Sequence, residues 1–191
     1  MERREFLKRA GVGSAAIASV PALETWLASP AWADDGGGGG NGFFFQVVSK
    51  STTTTDLMII SGCGRITASD VTGRGSFTHF TPAATTPFPI VATGHWRAKE
   101  LLHFTQIGTY GTLIAGIGEW TAVFHVLSPS PAKVRVTMEV VCNIGPAGLV
   151  NPGEEEGVMV TGGPQTFVQQ VPAVGLTVFT APFQRAGGDD D

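Results

Sequence analysis

The sequence is poor in charge: Asp, Glu, Lys and Arg make up 15% of its 191 residues, against about 25% in an ordinary soluble domain. The charged residues that solvate exposed helix faces are therefore scarce, which weighs against a helical architecture. Tyrosine occurs once, against 12 Phe, so the aromatic content suits burial. No segment is apolar for the about 20 residues that a spanning helix needs; the most apolar stretch, near the N-terminus, is interrupted by Pro21 and Glu24. No stable membrane anchor is expected. Beyond residue 33 no Lys/Arg run occurs along the chain. Nucleic acid is excluded as an expected partner on that ground, as is electrostatic attachment to anionic lipid, because phosphate neutralisation needs clustered cations.

What is abundant is glycine, at 26 residues, together with 12 Pro. Glycine supplies positive φ and proline presets φ in turns, so this usage suits many short strands joined tightly. The basic residues are uneven: Arg3, Arg4, Lys8 and Arg9 fall in the first nine positions. Without residues 1–33, which hold four basic and three acidic groups, 8 basic and 13 acidic side chains remain, a formal charge of −5.

Residues 1–33 have three parts. A basic start runs Arg3-Arg4-Glu5-Phe6-Leu7-Lys8, a modestly apolar stretch follows from Ala10 to Leu23, and Ala31-Trp32-Ala33 forms an A-x-A cleavage pattern. Arg3, Arg4, Phe6, Leu7 and Lys8 resemble the twin-arginine (Tat) signal; Glu2 departs from it, where Ser or Thr is commoner. The resemblance implies export of a folded protein by the Tat machinery, cleavage after Ala33 and a periplasmic or extracellular location. It also implies that a cofactor inserted before export is worth looking for.

The expected organisation is a signal peptide (1–33), a glycine-rich leader (34–42), one domain (43–185) and an acidic tail (186–191). Within the domain, residues 43–48, 57–60, 76–80, 90–99, 118–127, 133–143, 157–161 and 176–180 read as strands. The clearest is 133–143, where Val134, Val136, Met138, Val140 and Cys142 alternate with Arg135, Thr137 and Glu139. Period-two alternation of this kind marks a half-buried antiparallel strand. Trp120, Ala122, Phe124 and Val126 likewise share one face of 118–127. Residues 97–104 are rich in helix formers, but strand is expected there from the strands on either side. The fold class is all-β, an antiparallel β-barrel or β-sandwich. The turn Gly108-Thr109-Tyr110-Gly111 followed by Ala115-Gly116-Ile117-Gly118 resembles small exported β-barrels of the dirigent and allene-oxide-cyclase type. That resemblance implies a barrel. The longest irregular stretch, 143–156, is where a binding surface is expected.

Candidate chemistry is sparse. Cys63 and Cys142 pair as a disulfide in an oxidising compartment or stay separate as buried thiols. His79, His95, His103 and His125 lack the close spacing of H-x-H or H-E-x-x-H, so no metal motif is present. Glu100, Glu119 and Glu139, with Arg97, Lys99 and Arg135, read as cross-strand ion pairs on a solvated face. Glu154-Glu155-Glu156 reads as a solvated run, and neither Ser61 nor Ser76 forms G-x-S-x-G. No catalytic residue, metal ligand or cofactor is identified. The expected role is a binding or structural module. The alternatives are a small barrel enzyme of isomerase or lyase type with an apolar pocket, and a metal or cofactor carrier using histidines.

Overall fold

The computed structural model describes residues 40–84 and 87–182. The signal motif, its cleavage point, residues 34–39 of the leader and the acidic tail lie outside them. The described chain is nine strands and one short 3-10 turn: β1 (Asn41–Ser51), β2 (Leu57–Ile66), β3 (Val71–Phe80), β4 (Ile90–Tyr110), β5 (Leu113–Ser128), β6 (Ala132–Cys142), the turn Gly145–Ala147, β7 (Gly157–Thr161), β8 (Phe167–Gln169) and β9 (Gly175–Thr180). The domain is all-β, and residues 97–104 are strand. The first strand begins at Asn41, two residues inside the expected leader.

One antiparallel sheet closes on itself in a ring. Strands β1 to β5 pair in chain order except that β1 also turns its other edge to the end of the chain. On that edge Gly42–Val47 pair with β9 and Ser49–Ser51 pair with β8. The far edge of β5 is likewise divided: Gly116–Val126 pair with β6, while Leu113 and Ile114 pair with β9. Two routes therefore close the ring, one through β6, β7 and β8 and one through β9. Each of the nine strands has at least two partner strands, but β4 beyond Arg97 is paired with β5 alone.

The alternation read from the sequence sets the faces. Phe43, Phe45, Met58, Ile60, Trp120, Ala122, Val136, Met138, Val140 and Cys142 all enter one core. Glycine in β2 and β3, which reads as turn punctuation, is instead strand. Gly62 faces Gly75 and Gly64 faces Gly73 across the pair. A Cβ at Gly62 would collide first with Trp96 and one at Gly73 with Phe43; at Gly75 and Gly64 it would meet the Ser61 and Thr72 carbonyl oxygens of the paired strand as well as those rings. These glycines mark where large rings lie against the backbone. Gly108, Thr109 and Tyr110 also belong to strand β4; the turn itself is Gly111-Thr112, with Gly111 at φ 61°.

The disulfide expectation is corrected. Cys63 and Cys142 are both free thiols. Cys63 lies on the outward side of β2 between buried Gly62 and half-buried Gly64, whereas Cys142 lies in the core. Opposite faces of the sheet cannot present two sulfurs to one bond.

Candidate functional site

The outer face of β2 to β6 gathers residues that are far apart in the chain. In one row across the strands, Cys63, Arg74, Arg97, Val123 and Arg135 stand opposite one another. In the next row stand Ser61, Ser76, His95, His125 and Lys133. Lys99 follows Arg97 at a bulge between Ala98 and Glu100. Five of the eight basic residues after position 33 thus share one face, although no two of Arg74, Lys133 and the Arg97/Lys99 pair are near in sequence.

The two rows contain like charges placed directly opposite. Arg74 faces Arg97, an arrangement that costs stability when nothing neutralises it. Arg135 reaches Glu100 at 4.0 Å. Among the described residues Arg74, Arg97, Lys99 and Lys133 have no carboxylate within ion-pair distance. The rings of His95 and His125 stack, with centroids 4.8 Å apart and planes 11° from parallel. Desolvation, then the neighbouring His95, Lys133, Arg97 and Lys99, hold His125 below its ordinary pKa. Beside them the Ser61 and Ser76 hydroxyls are 3.1 Å apart.

Further along the same strands the charge changes sign. Glu119 and Glu139 stand directly opposite each other, so neither faces the Arg or Lys expected from sequence; of the expected cross-strand ion pairs, Arg135–Glu100 forms. His103 Nδ1 lies 3.1 Å from Glu119. Burial first, then Glu154 and Glu119, push the Glu139 carboxyl up, with Gln169 donating to it at 3.4 Å as a partial offset. At one end of the ring Asp56 accepts from Thr81 at 2.6 Å and lies 3.1 Å from His79 Nε2. The Thr81 hydrogen bond leads the influences that hold Asp56 at about 2. Gln165 joins Asp56 to Ser51 and Thr54. This network fixes the loop after β1 to the loop before β8.

The 143–156 stretch is anchored. Asn151 is buried and donates through Nδ2 to the Cys142 carbonyl, while its backbone N–H donates to Asn143. Glu156 accepts from the hydroxyl and the backbone N–H of buried Thr177. Its role in the described residues is to close the ring beside β9. Among the described residues no three His, Cys, Asp or Glu side chains are placed to hold a metal ion. An open groove of about 400 Å³, lined by Ile66, Thr67, Leu101, His103, Phe104 and Pro182, runs beside the start and end of the described chain.

The residues that sequence reasoning missed are the basic rows. The outward parity of Arg135 and His125 was legible from alternation, but the pairing register that sets them beside Arg74 and Arg97 was not. No family model matches the sequence, and neither the curated proteins nor the solved structures give a match.

Proposed function

We propose that this chain is an exported β-barrel module that works by binding at its outer surface. The observation that carries the reading is the state of the interior. Trp96, Trp120, Phe43, Phe45, Met138 and Phe179 are each at most 1% exposed and occupy the centre of the ring. Phe43 packs on Trp120 with ring centroids 4.9 Å apart, and Phe104 meets Phe179 edge-on at 5.2 Å. A small-ligand enzyme needs a concave apolar pocket with a few convergent polar groups. The packed interior supports a surface role over an isomerase or lyase working inside the ring. The two-route closure of the sheet supports a barrel over a sandwich, since a sandwich keeps two separate sheets. Export rests on Arg3, Arg4, Phe6, Leu7 and Lys8 in the sequence.

Two measurements test this. Cleavage after Ala33 removes Trp26 and Trp32, leaving Trp96 and Trp120 as the reporters in the mature chain. Their emission is expected to be that of buried indole, and the neutral dye Nile red is expected to gain no fluorescence with the folded protein. Energy transfer from the tryptophans to bound Nile red would overturn the surface reading. For export, Arg3→Lys with Arg4→Lys is expected to leave the protein in the cytoplasmic fraction; continued export ends that part of the proposal.

A further inference from the structure

We propose that the outer face of β3 to β6, centred on Arg74, Arg97, His95 and His125, binds an acidic polysaccharide through its carboxylate or sulfate groups. This rests on the surface-binding reading above and names its ligand class. The first argument is the uncompensated charge. Evenly mixed signs are the usual state of a protein surface, yet here cations face cations across neighbouring strands while Glu119 and Glu139 are segregated further along. A bound polyanion neutralises the Arg74–Arg97 juxtaposition, and the guanidinium fork suits the two oxygens of a carboxylate or sulfate.

The second argument is spacing. His95, His125 and Lys133 lie on three successive strands, and Arg74 and Arg97 on two. Adjacent strands are about 4.8 Å apart, so a linear polyanion laid across the strands meets a cationic or titratable group at each step. Ser61 and Ser76 extend the histidine row with hydroxyls that suit a hydroxyl-rich chain. Nucleic acid fits less well. The β3 to β6 positions of both rows hold no Phe, Tyr or Trp to stack on bases, and the His95 and His125 rings already stack on each other. The face is also the outside of a closed sheet, with no element that projects into a groove to read base edges. The acidic row of Glu119 and Glu139, and Glu100 beside Arg135, bound the site on one side.

The test uses the whole mature protein with polygalacturonate, dextran sulfate and uncharged dextran. A dT oligonucleotide and phosphatidylglycerol vesicles complete the set of probes. Titration calorimetry or surface capture is expected to show binding to one or both acidic polysaccharides and none to dextran. Affinity is expected to fall steeply between about 50 and 200 mM salt, as charges are screened and counterion release loses its drive. The tighter of the two polymers identifies sulfate or carboxylate as the preferred group. Arg74→Ser with Arg97→Ser is expected to weaken binding at least tenfold, while Lys50→Ser on β1 changes it little. Melting temperature of the arginine variant is expected to equal or exceed the parent, because removing facing like charges relieves repulsion; a purely structural pair would lower it. Lys133→Ser with Arg135→Ser gives an independent second variant. The proposal is overturned if neither acidic polymer binds at low salt, if both variants bind like the parent, or if oligonucleotide or vesicles bind more tightly than either polymer. Nile red separates the two levels: polymer binding absent with the dye still excluded sinks this inference alone, whereas dye uptake sinks the surface reading as well.

Discussion

Trp96 stacks on Phe45, with ring centroids 5.6 Å apart and planes within 10°, although two strands run between the strands that carry them. The register explains how. Phe45 of β1 stands opposite Gly62 of β2, Gly62 opposite Gly75 of β3, and Gly75 opposite Trp96 of β4. Neither intervening residue has a side chain, so the indole lies across both backbones to reach Phe45. Its Nε1–H donates to the Ser61 carbonyl at 2.9 Å, which removes the cost of burying that donor. A ring-closed sheet needs bulk at its centre and close approach at its wall, and this row provides both.

The first prediction follows from that row. Gly62→Ala places a Cβ against the Cζ2 and Cε2 atoms of Trp96. Overpacking of this kind costs about 1–3 kcal/mol, and denaturant titration is expected to find the upper part of that range. Trp96→Leu opens the space at a cost of its own, about 2–4 kcal/mol. In the Trp96→Leu background, Gly62→Ala is expected to cost less than half as much, because the clashing atoms are gone. The coupling is measured by a double-mutant cycle. Equal cost in both backgrounds means that backbone strain at Gly62, and not the indole, sets the glycine requirement.

Much of the wall was legible in the sequence, and the reasons for the remainder are physical. In β6 the alternation of Val134, Val136, Met138 and Val140 with Arg135, Thr137 and Glu139 is unbroken, so both the strand and its inward face could be read. In β4 it is not. Register shifts fall between Ala98 and Glu100, and again between Leu101 and His103. Each inserts a residue and turns the period-two pattern into one that mimics a helix. The glycines of β2 and β3 misled because glycine marks turns and close approaches alike. Strand β8 is three residues long and pairs with β7 only through Val160 and Phe167, too short for any pattern. The candidate site was hidden for a different reason. Arg74, Arg97 and Arg135 are brought together by pairing register, and register is a relation between segments that no single segment states.

The thiols give the second prediction. Cys63 lies half-exposed on the outer face, and Cys142 is buried with its Sγ 3.3 Å from the Thr177 carbonyl oxygen. Burial pushes the Cys142 thiol up, which lowers its reactivity further. The folded mature protein, prepared without reductant, is expected to release one equivalent of thionitrobenzoate from Ellman's reagent promptly, from Cys63. The second equivalent is expected only on unfolding. Cys63→Ser removes the prompt phase. Two prompt equivalents mean that the end of β6 opens readily, and none before or after unfolding means that the thiols are oxidised.

The last prediction concerns pH, where two carboxylates act with opposite sign. Glu139 has its folded pKa raised, chiefly by burial and then by Glu154 and Glu119. Its contribution to stability is therefore fully present below the unfolded carboxylate value and is lost as pH rises through the folded one. Once ionised, Glu139 destabilises the fold, chiefly through its burial and then through the nearby Glu154 and Glu119. Asp56 has its folded pKa lowered to about 2, chiefly by the Thr81 hydrogen bond. Its contribution is present above the ordinary aspartate value and is lost as pH falls toward about 2. Glu139→Gln keeps an oxygen for the Gln169 donor and removes the like charge, so it is expected to stabilise by about 0.5 kcal/mol near pH 7. As pH falls below the ordinary carboxylate range that gain is expected to vanish, since Glu139, with its raised pKa, is then protonated and neutral like glutamine. Asp56→Asn is expected to destabilise near pH 7 and to flatten the acid limb of the parent's profile. Melting temperatures of the parent and the two variants across the acid and neutral range measure both. A Glu139→Gln gain that persists unchanged at low pH assigns the effect to packing and removes the charge argument, and an Asp56→Asn profile parallel to the parent's at every pH removes the role given to the Thr81–Asp56 bond.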